Sequence, residues 1–271
     1  MNLNTITEVK RPRTLDEIQG WRTGNAWLGG GTWLFSEPQI HTDTLIDLER
    51  LGWPSLTPSA DGLEIAATCR IAELYAFNAP EEWTAASLVH ECCRSFLSSF
   101  KIWNEATIGG NIVMSLPAGP MISLTVALEG AYELWPRDGE ARRIAAVDFV
   151  TGDHANVLRA GELVRGVHLP VNALRKRYAF RRSSLTHLGR SSVLLIGTRE
   201  MDEVLVTVTA ATVRPIQLRF RNSPTERVIR ETIENEIPMA LYLNDPHGSP
   251  QHRHHLTHHF TREICEELFA L

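Results

Sequence analysis

The sequence predicts an α+β fold in two units, and three observations carry that reading. Short apolar strand signals that break into glycine alternate with helical patterns as far as Pro170. The composition then shifts to a basic stretch running from Arg175 to Arg182. Beyond it lie two alternating strand patterns and two helical ones, which points to a small C-terminal α+β domain with an antiparallel sheet. With 271 residues the chain can bury enough core for both units, expected at 1–170 and 171–271.

In chain order, Glu8 and Val9 read as a short strand, and Thr14 is a candidate N-cap for a helix starting at Leu15. Ala26-Trp27-Leu28 reads as a buried strand entering three glycines, and Thr44 to Leu48 as another. Trp53 to Asp61, with two prolines, reads as a connector between two lobes of the first unit, about 1–53 and 54–170. Leu63 to Ala67 is a strand, followed by helical patterns at Ile71 to Phe77 and Thr84 to Phe100. Thr107 to Asn111 reads as a strand end breaking into glycine. Tyr132 to Trp135 and Leu163 to Val167 complete the strands of this unit. In the second unit, Ser191 to Thr198 and Val204 to Val213 alternate like antiparallel strands joined at Glu200 to Asp202. Thr225 to Asn235 and Gln251 to Phe269 read as helices.

Composition excludes several classes of function. A net charge of -5 leaves no electrostatic footprint for nucleic acid or an anionic membrane. The basic cluster Arg175, Lys176, Arg177, Arg181 and Arg182 is local and reads equally as a solvated face. Four cysteines without CxxC spacing suggest neither a disulfide framework nor an iron–sulfur cluster of the chain's own, and fit a reducing, cytoplasmic setting. Met1 to Arg13 lacks the apolar core of a signal peptide. Ala106 to Leu128 carries no charge, but its glycines and prolines break a spanning helix and predict a loop followed by a buried helix.

Two glycine turns stand out, Leu28-Gly29-Gly30-Gly31-Thr32 and Thr107-Ile108-Gly109-Gly110-Asn111. Without a Cβ, glycine lets main-chain amides approach a phosphate, and Thr32 and Asn111 can add side-chain hydrogen bonds. Converging on one diphosphate, two such turns would make a dinucleotide site; each alone reads as well as a tight turn. The first lacks the G-x-G-x-x-G frame, and no Gly-Lys-Ser/Thr follows either one, so Rossmann and P-loop sites are set aside. Six histidines crowd positions 247 to 259, with His254–His258 and His255–His259 at i,i+4 spacing. No carboxylate or cysteine clearly completes a metal site there, so the run reads as the solvated face of an exposed C-terminal helix. No G-x-S-x-G elbow is present and no catalytic residue is named.

The paired turns, with Lys10-Arg11-Pro12, Thr44 to Leu48, Asp148 to Gly152, Ala160 to Val164, His168-Leu169-Pro170 and Tyr178 to Arg182 in the same order, resemble the FAD-binding medium subunit of molybdenum hydroxylases. That family includes carbon monoxide dehydrogenase flavoproteins and the flavin domain of xanthine dehydrogenase. The resemblance covers almost the whole chain and implies a two-lobed FAD-binding domain of the vanillyl-alcohol-oxidase type with the family's C-terminal domain.

Position by position, the resemblance implies that Trp27, Leu28, Gly29, Gly30, Gly31, Thr32, Trp33 and Leu34 wrap the FAD diphosphate. Thr107, Ile108, Gly109, Gly110 and Asn111 would approach it from the second lobe, with Leu97 and Val164 beside the flavin or adenine. Pro120 stands where the family commonly has an acidic residue, Trp33 replaces a small or acidic one, and Ser183 to His187 lacks the usual acidic residues. The implied partners are a molybdenum-cofactor large subunit and a 2Fe-2S small subunit, with NAD or oxygen as electron acceptor. Two other readings stay open, a stand-alone flavin oxidoreductase and a flavin-free scaffold.

Overall fold

The computed structural model describes residues 3–18, 20–96, 98–136 and 140–270. The mixed helix and sheet architecture matches the expected α+β class. A small parallel sheet opens the chain, with β3 (Thr44–Asp47) between β1 (Glu8–Lys10) and β2 (Asn25–Leu28). All four residues of β3 are buried, as a central parallel strand requires. Thr14 does not start a full helix. A single 3-10 turn, Leu15–Glu17, forms without a side-chain cap, and Glu17 turns back to accept a 3.0 Å hydrogen bond from the Arg13 amide.

The second sheet is antiparallel and runs β4 (Leu56–Ser59), β5 (Gly62–Ala66), β10 (Leu163–Pro170), β6 (Ala131–Trp135), β7 (Arg142–Ala145). The expected connector at Trp53 to Asp61 therefore holds a strand. β4 tolerates Pro58 because it lies at the sheet edge, where a missing N–H breaks no inner ladder. β8 (Val150–Gly152) and β9 (Ala155–Asn156) form a separate hairpin. In β10 a register shift between Val164 and Gly166 sets Arg165 over the rings of Trp53 and Trp135, 4.2 and 5.3 Å from their centroids.

Among the described residues the helices up to this point are α1 (Ile71–Tyr75), α2 (Leu88–Ser95), α3 (Phe100–Trp103), α4 (Ile108–Val113) and α5 (Pro120–Ala127), and α6 (Val171–Leu174) follows β10. The continuous helix expected from Thr84 to Phe100 is divided: a 3-10 turn leads into α2, which ends at Ser95 before α3 begins. As expected for 106–128, a loop leads into a buried helix, and every residue of α5 is buried. Its hydroxyls are satisfied inside the core, Ser123 by Thr209 at 2.7 Å and Thr125 by Tyr132 at 2.6 Å.

The last sheet is a four-stranded antiparallel meander, β11 (Arg177–Ser184), β12 (Ser191–Glu200), β13 (Glu203–Thr209) and β14 (Ile216–Arg221). β12 is buried on both faces. Leu194 and Ile196 join the first core around α5, whereas Val193 and Leu195 join a second core beneath α7 (Glu226–Glu236) and α8 (Pro250–Ala270). The expected exposed C-terminal helix is thus corrected: α8 lays Arg253, Thr257, Thr261, Ile264, Cys265 and Leu268 against the sheet. Arg253, 1% exposed, donates to the carbonyls of Ser192, Ala210 and Gly248 and pairs with Asp245. Much of the basic cluster is likewise spent internally, Lys176 on Glu129 and Glu200, and Arg181 on Glu263 and Glu267.

Candidate functional site

β2 delivers Trp27 and Leu28 to the first glycine turn, which coils as Phe35 donates to the Gly31 carbonyl and Ser36 to that of Trp33, both at 2.8 Å. The second turn starts a helix instead of ending a strand. Thr107 is the N-cap of α4 and its hydroxyl accepts from the Gly110 amide at 3.1 Å. The two turns meet main chain to main chain. A Cβ on Gly30 would stand 1.6 Å from the Glu105 carbonyl oxygen, and one on Gly29 2.9 Å from the Thr107 hydroxyl. Only glycine allows that approach.

Between the turns lies a cavity of about 600 Å³, within the range of small-molecule and cofactor sites. Trp27 through Leu34 line it from the first lobe, and Thr107, Gly109, Gly110, Asn111 and Val164 from the second. Ile108 is fully buried behind the wall and takes no part in the lining, because the helical start turns it into the core. Leu97 lies outside the described residues.

The amides of the two turns are used differently. In the second, Ile108 donates to Cys69, Gly109 to Ala67 and Asn111 to Thr107, while Gly110 donates to the Thr107 hydroxyl. The expectation that both turns offer free amides is therefore corrected: starting a helix consumes those of 108–111. In the first turn, among the described residues, no amide from Gly29 through Leu34 finds a protein acceptor. Asn111 accepts from the Met121 amide at 3.1 Å through Oδ1, which leaves its Nδ2 for the cavity wall. Pro120 lines the cavity as the first residue of α5, where its missing N–H leaves no helical bond unmade.

Several lining residues were not among the expected site residues. Trp27 Nε1 donates to the Glu162 carbonyl at 3.1 Å, bringing the start of β10 against the first lobe. The Glu162 carboxylate, on the same wall, accepts from Arg142 Nη2 at 2.7 Å and from the Arg159 amide at 2.8 Å. The Arg142 guanidinium holds it below the usual carboxyl range. From the C-terminal sheet, the hairpin between β11 and β12 contributes Leu188, Arg190 and Ser191. Arg190 is the one cation among the lining residues, and among the described residues no ion pair engages it. Arg182 braces this hairpin by donating to the Gly189 carbonyl and the Ser191 hydroxyl. Hairpin contacts of this kind depend on a tertiary pairing that no local pattern announces.

Fold and cavity together define a class of protein, one that closes two glycine turns over a cofactor-sized cleft. Residues 5–172 match the family model described as the FAD binding domain in molybdopterin dehydrogenase. The chain belongs to that family, and its cofactor is FAD. Curated proteins include no sequence match. Solved structures that share the fold include three oxidoreductases. A chain of quinoline 2-oxidoreductase from Pseudomonas putida 86 superposes with a TM-score of 0.79 at 17% identity, over 97% of this chain and 96% of that one. Reconstituted CO dehydrogenase from Oligotropha carboxidovorans gives 0.78 at 19%, over 97% of both chains. Carbon monoxide dehydrogenase from Hydrogenophaga pseudoflava, in a form lacking the Mo-pyranopterin moiety, gives 0.77 at 15%, over 98% of both.

The cleft suits that cofactor. Among the described residues, amides without a protein acceptor and an arginine outside any ion pair complement a diphosphate, and a largely apolar wall complements aromatic rings.

Proposed function

We propose that this chain is the flavin subunit of a multi-subunit molybdenum hydroxylase, an oxidoreductase of the carbon monoxide dehydrogenase or xanthine dehydrogenase kind. The observation that carries the reading is the convergence of both glycine turns on one cavity whose first turn keeps its amides free. FAD, when bound, supplies electron exchange between a 2Fe-2S small subunit and an external acceptor such as NAD or oxygen. The chain's own residues bind and orient. Gly29 through Leu34 hold the diphosphate by main-chain amides, while Gly110 keeps the opposite wall low and Gly109 lets that wall pack on Ala67. Asn111 offers its amide nitrogen, and Val164 packs against a ring. Residues 1–170 form the FAD-binding domain in this reading, and 171–271 close the cleft with the β11–β12 hairpin.

Substrate oxidation belongs to a molybdenum-cofactor large subunit, so no general acid or base is assigned to this chain. The cytoplasm is the proposed setting, supported by four free and buried cysteines. Among the described residues no helix is long and apolar enough to cross a membrane. The test is purification from its own host. A yellow complex holding one flavin per chain, with iron and molybdenum in two further subunits, supports the proposal. A colourless chain that takes up no added FAD overturns it, and a flavin-bearing chain without metal partners overturns the subunit assignment alone.

A further inference from the structure

Two histidine pairs ride on α8 at the same i,i+4 spacing, and the fold treats them differently. His254 and His258 line a cavity of about 380 Å³ between α7 and α8, with their Nε2 atoms 3.2 Å apart. His255 and His259 stack in parallel with ring centroids 6.5 Å apart, and His259 Nε2 is engaged by Glu263 at 3.1 Å. Spacing along the helix therefore does not distinguish the pairs, but convergence of the ring nitrogens does.

The geometry of the first pair suits a metal. Two nitrogens bound to one tetrahedral zinc at about 2.0–2.1 Å lie about 3.3–3.4 Å from each other. The His254 ring is held edge-on by Tyr242, centroids 5.5 Å apart, and meets the His258 ring at 4.5 Å, so little reorientation is needed. Glu234 on α7 lines the same cavity as the pair. The remaining charged groups on the cavity wall are Glu226 and Arg230 on α7 and Arg262 on α8, alongside His255 and His259. Among the described residues no three His, Cys, Asp or Glu side chains form a closed cage, so water must fill the other positions.

We propose that the α7–α8 cavity binds one divalent transition-metal ion of the zinc class through Nε2 of His254 and Nε2 of His258, with water ligands and Glu234 supplying negative charge nearby. Imidazole ligands suit zinc, nickel and copper alike. The site is independent of the flavin cleft, and its failure leaves the reading of that cleft untouched.

The test is calorimetric titration of zinc chloride into the full, chelator-treated chain, with melting temperature followed in parallel. One saturable site is expected, together with a rise in melting temperature on adding zinc. His254→Gln and His258→Gln should each weaken binding at least about tenfold, since removing a ligand costs no less than removing its orienting partner. The double change His255→Gln with His259→Gln should leave affinity within about twofold, because that pair neither converges nor supplies a ligand. Absence of a saturable zinc site in the parent chain overturns the proposal. So does equal weakening by the His255/His259 change, which would mean diffuse capture by the histidine run.

Discussion

The two glycine turns use one residue type for opposite ends. In the first, Gly30 lets the loop lie against the Glu105 carbonyl, while among the described residues the amides of 29–34 remain unspent. In the second, Gly109 nestles against Ala67, where a Cβ would approach the Ala67 methyl to 2.5 Å, and the amides of 108–111 are already committed. A glycine pair in a sequence therefore marks close approach. Whether it also grips an anion depends on which amides the fold has already used.

That contrast can be broken most forcefully at Gly30. Gly30→Ala forces the turns apart, with an expected loss of about 1–3 kcal/mol in stability and near-complete loss of bound flavin. Flavin absorbance per chain and a denaturant melt read both; an unchanged yellow protein would refute the packing of the two turns. Gly110→Ala sharpens the comparison, because its Cβ meets only the Thr107 hydroxyl, at 3.1 Å, and the position is helical. The flavin-free chain should be as stable as the parent or up to about 1 kcal/mol more so. Its FAD affinity, titrated by fluorescence, should nevertheless fall, because the methyl enters the cavity. Thr107→Ala removes the α4 cap and should cost about 1 kcal/mol in thermal unfolding.

The smallest effect is one of pH. Glu162 has its carboxyl pKa depressed by Arg142, so its contribution is present above the ordinary carboxyl value of about 4.3 and is lost as pH falls through the lowered value. Glu162→Gln should flatten the acid limb of the melting curve below about pH 4 and leave its slope near neutrality unchanged.

Much of the fold was readable from local pattern. The first glycine turn, the buried α5, and β12 and β13 with the turn between them fall where period and turn chemistry put them. The misreadings have physical causes. Pro58 suggested a connector because nothing in the sequence says that β4 will be an edge strand. Thr107 to Asn111 read as a strand end because the helix that follows is short and glycine-rich. α8 read as exposed because its histidines hid a buried stripe of Thr257, Thr261, Ile264 and Leu268. At the cleft, all but Ile108 and the undescribed Leu97 among the expected residues reach the cavity. Neither Glu162, within the Ala160 to Val164 piece, nor Arg190 is expected at the cleft from sequence, because only long-range pairing brings them there.

Arg253 ties these ends of the molecule together. Its guanidinium clasps the carbonyls of Ser192 and Ala210, so the last helix fixes the base of the hairpin that carries Arg190 to the rim of the cleft. Coupling between two positions is reciprocal. A cofactor settling in the cleft should thus slow amide hydrogen exchange in the helix that ends the chain, and fraying of that helix should be felt as a looser grip on the cofactor.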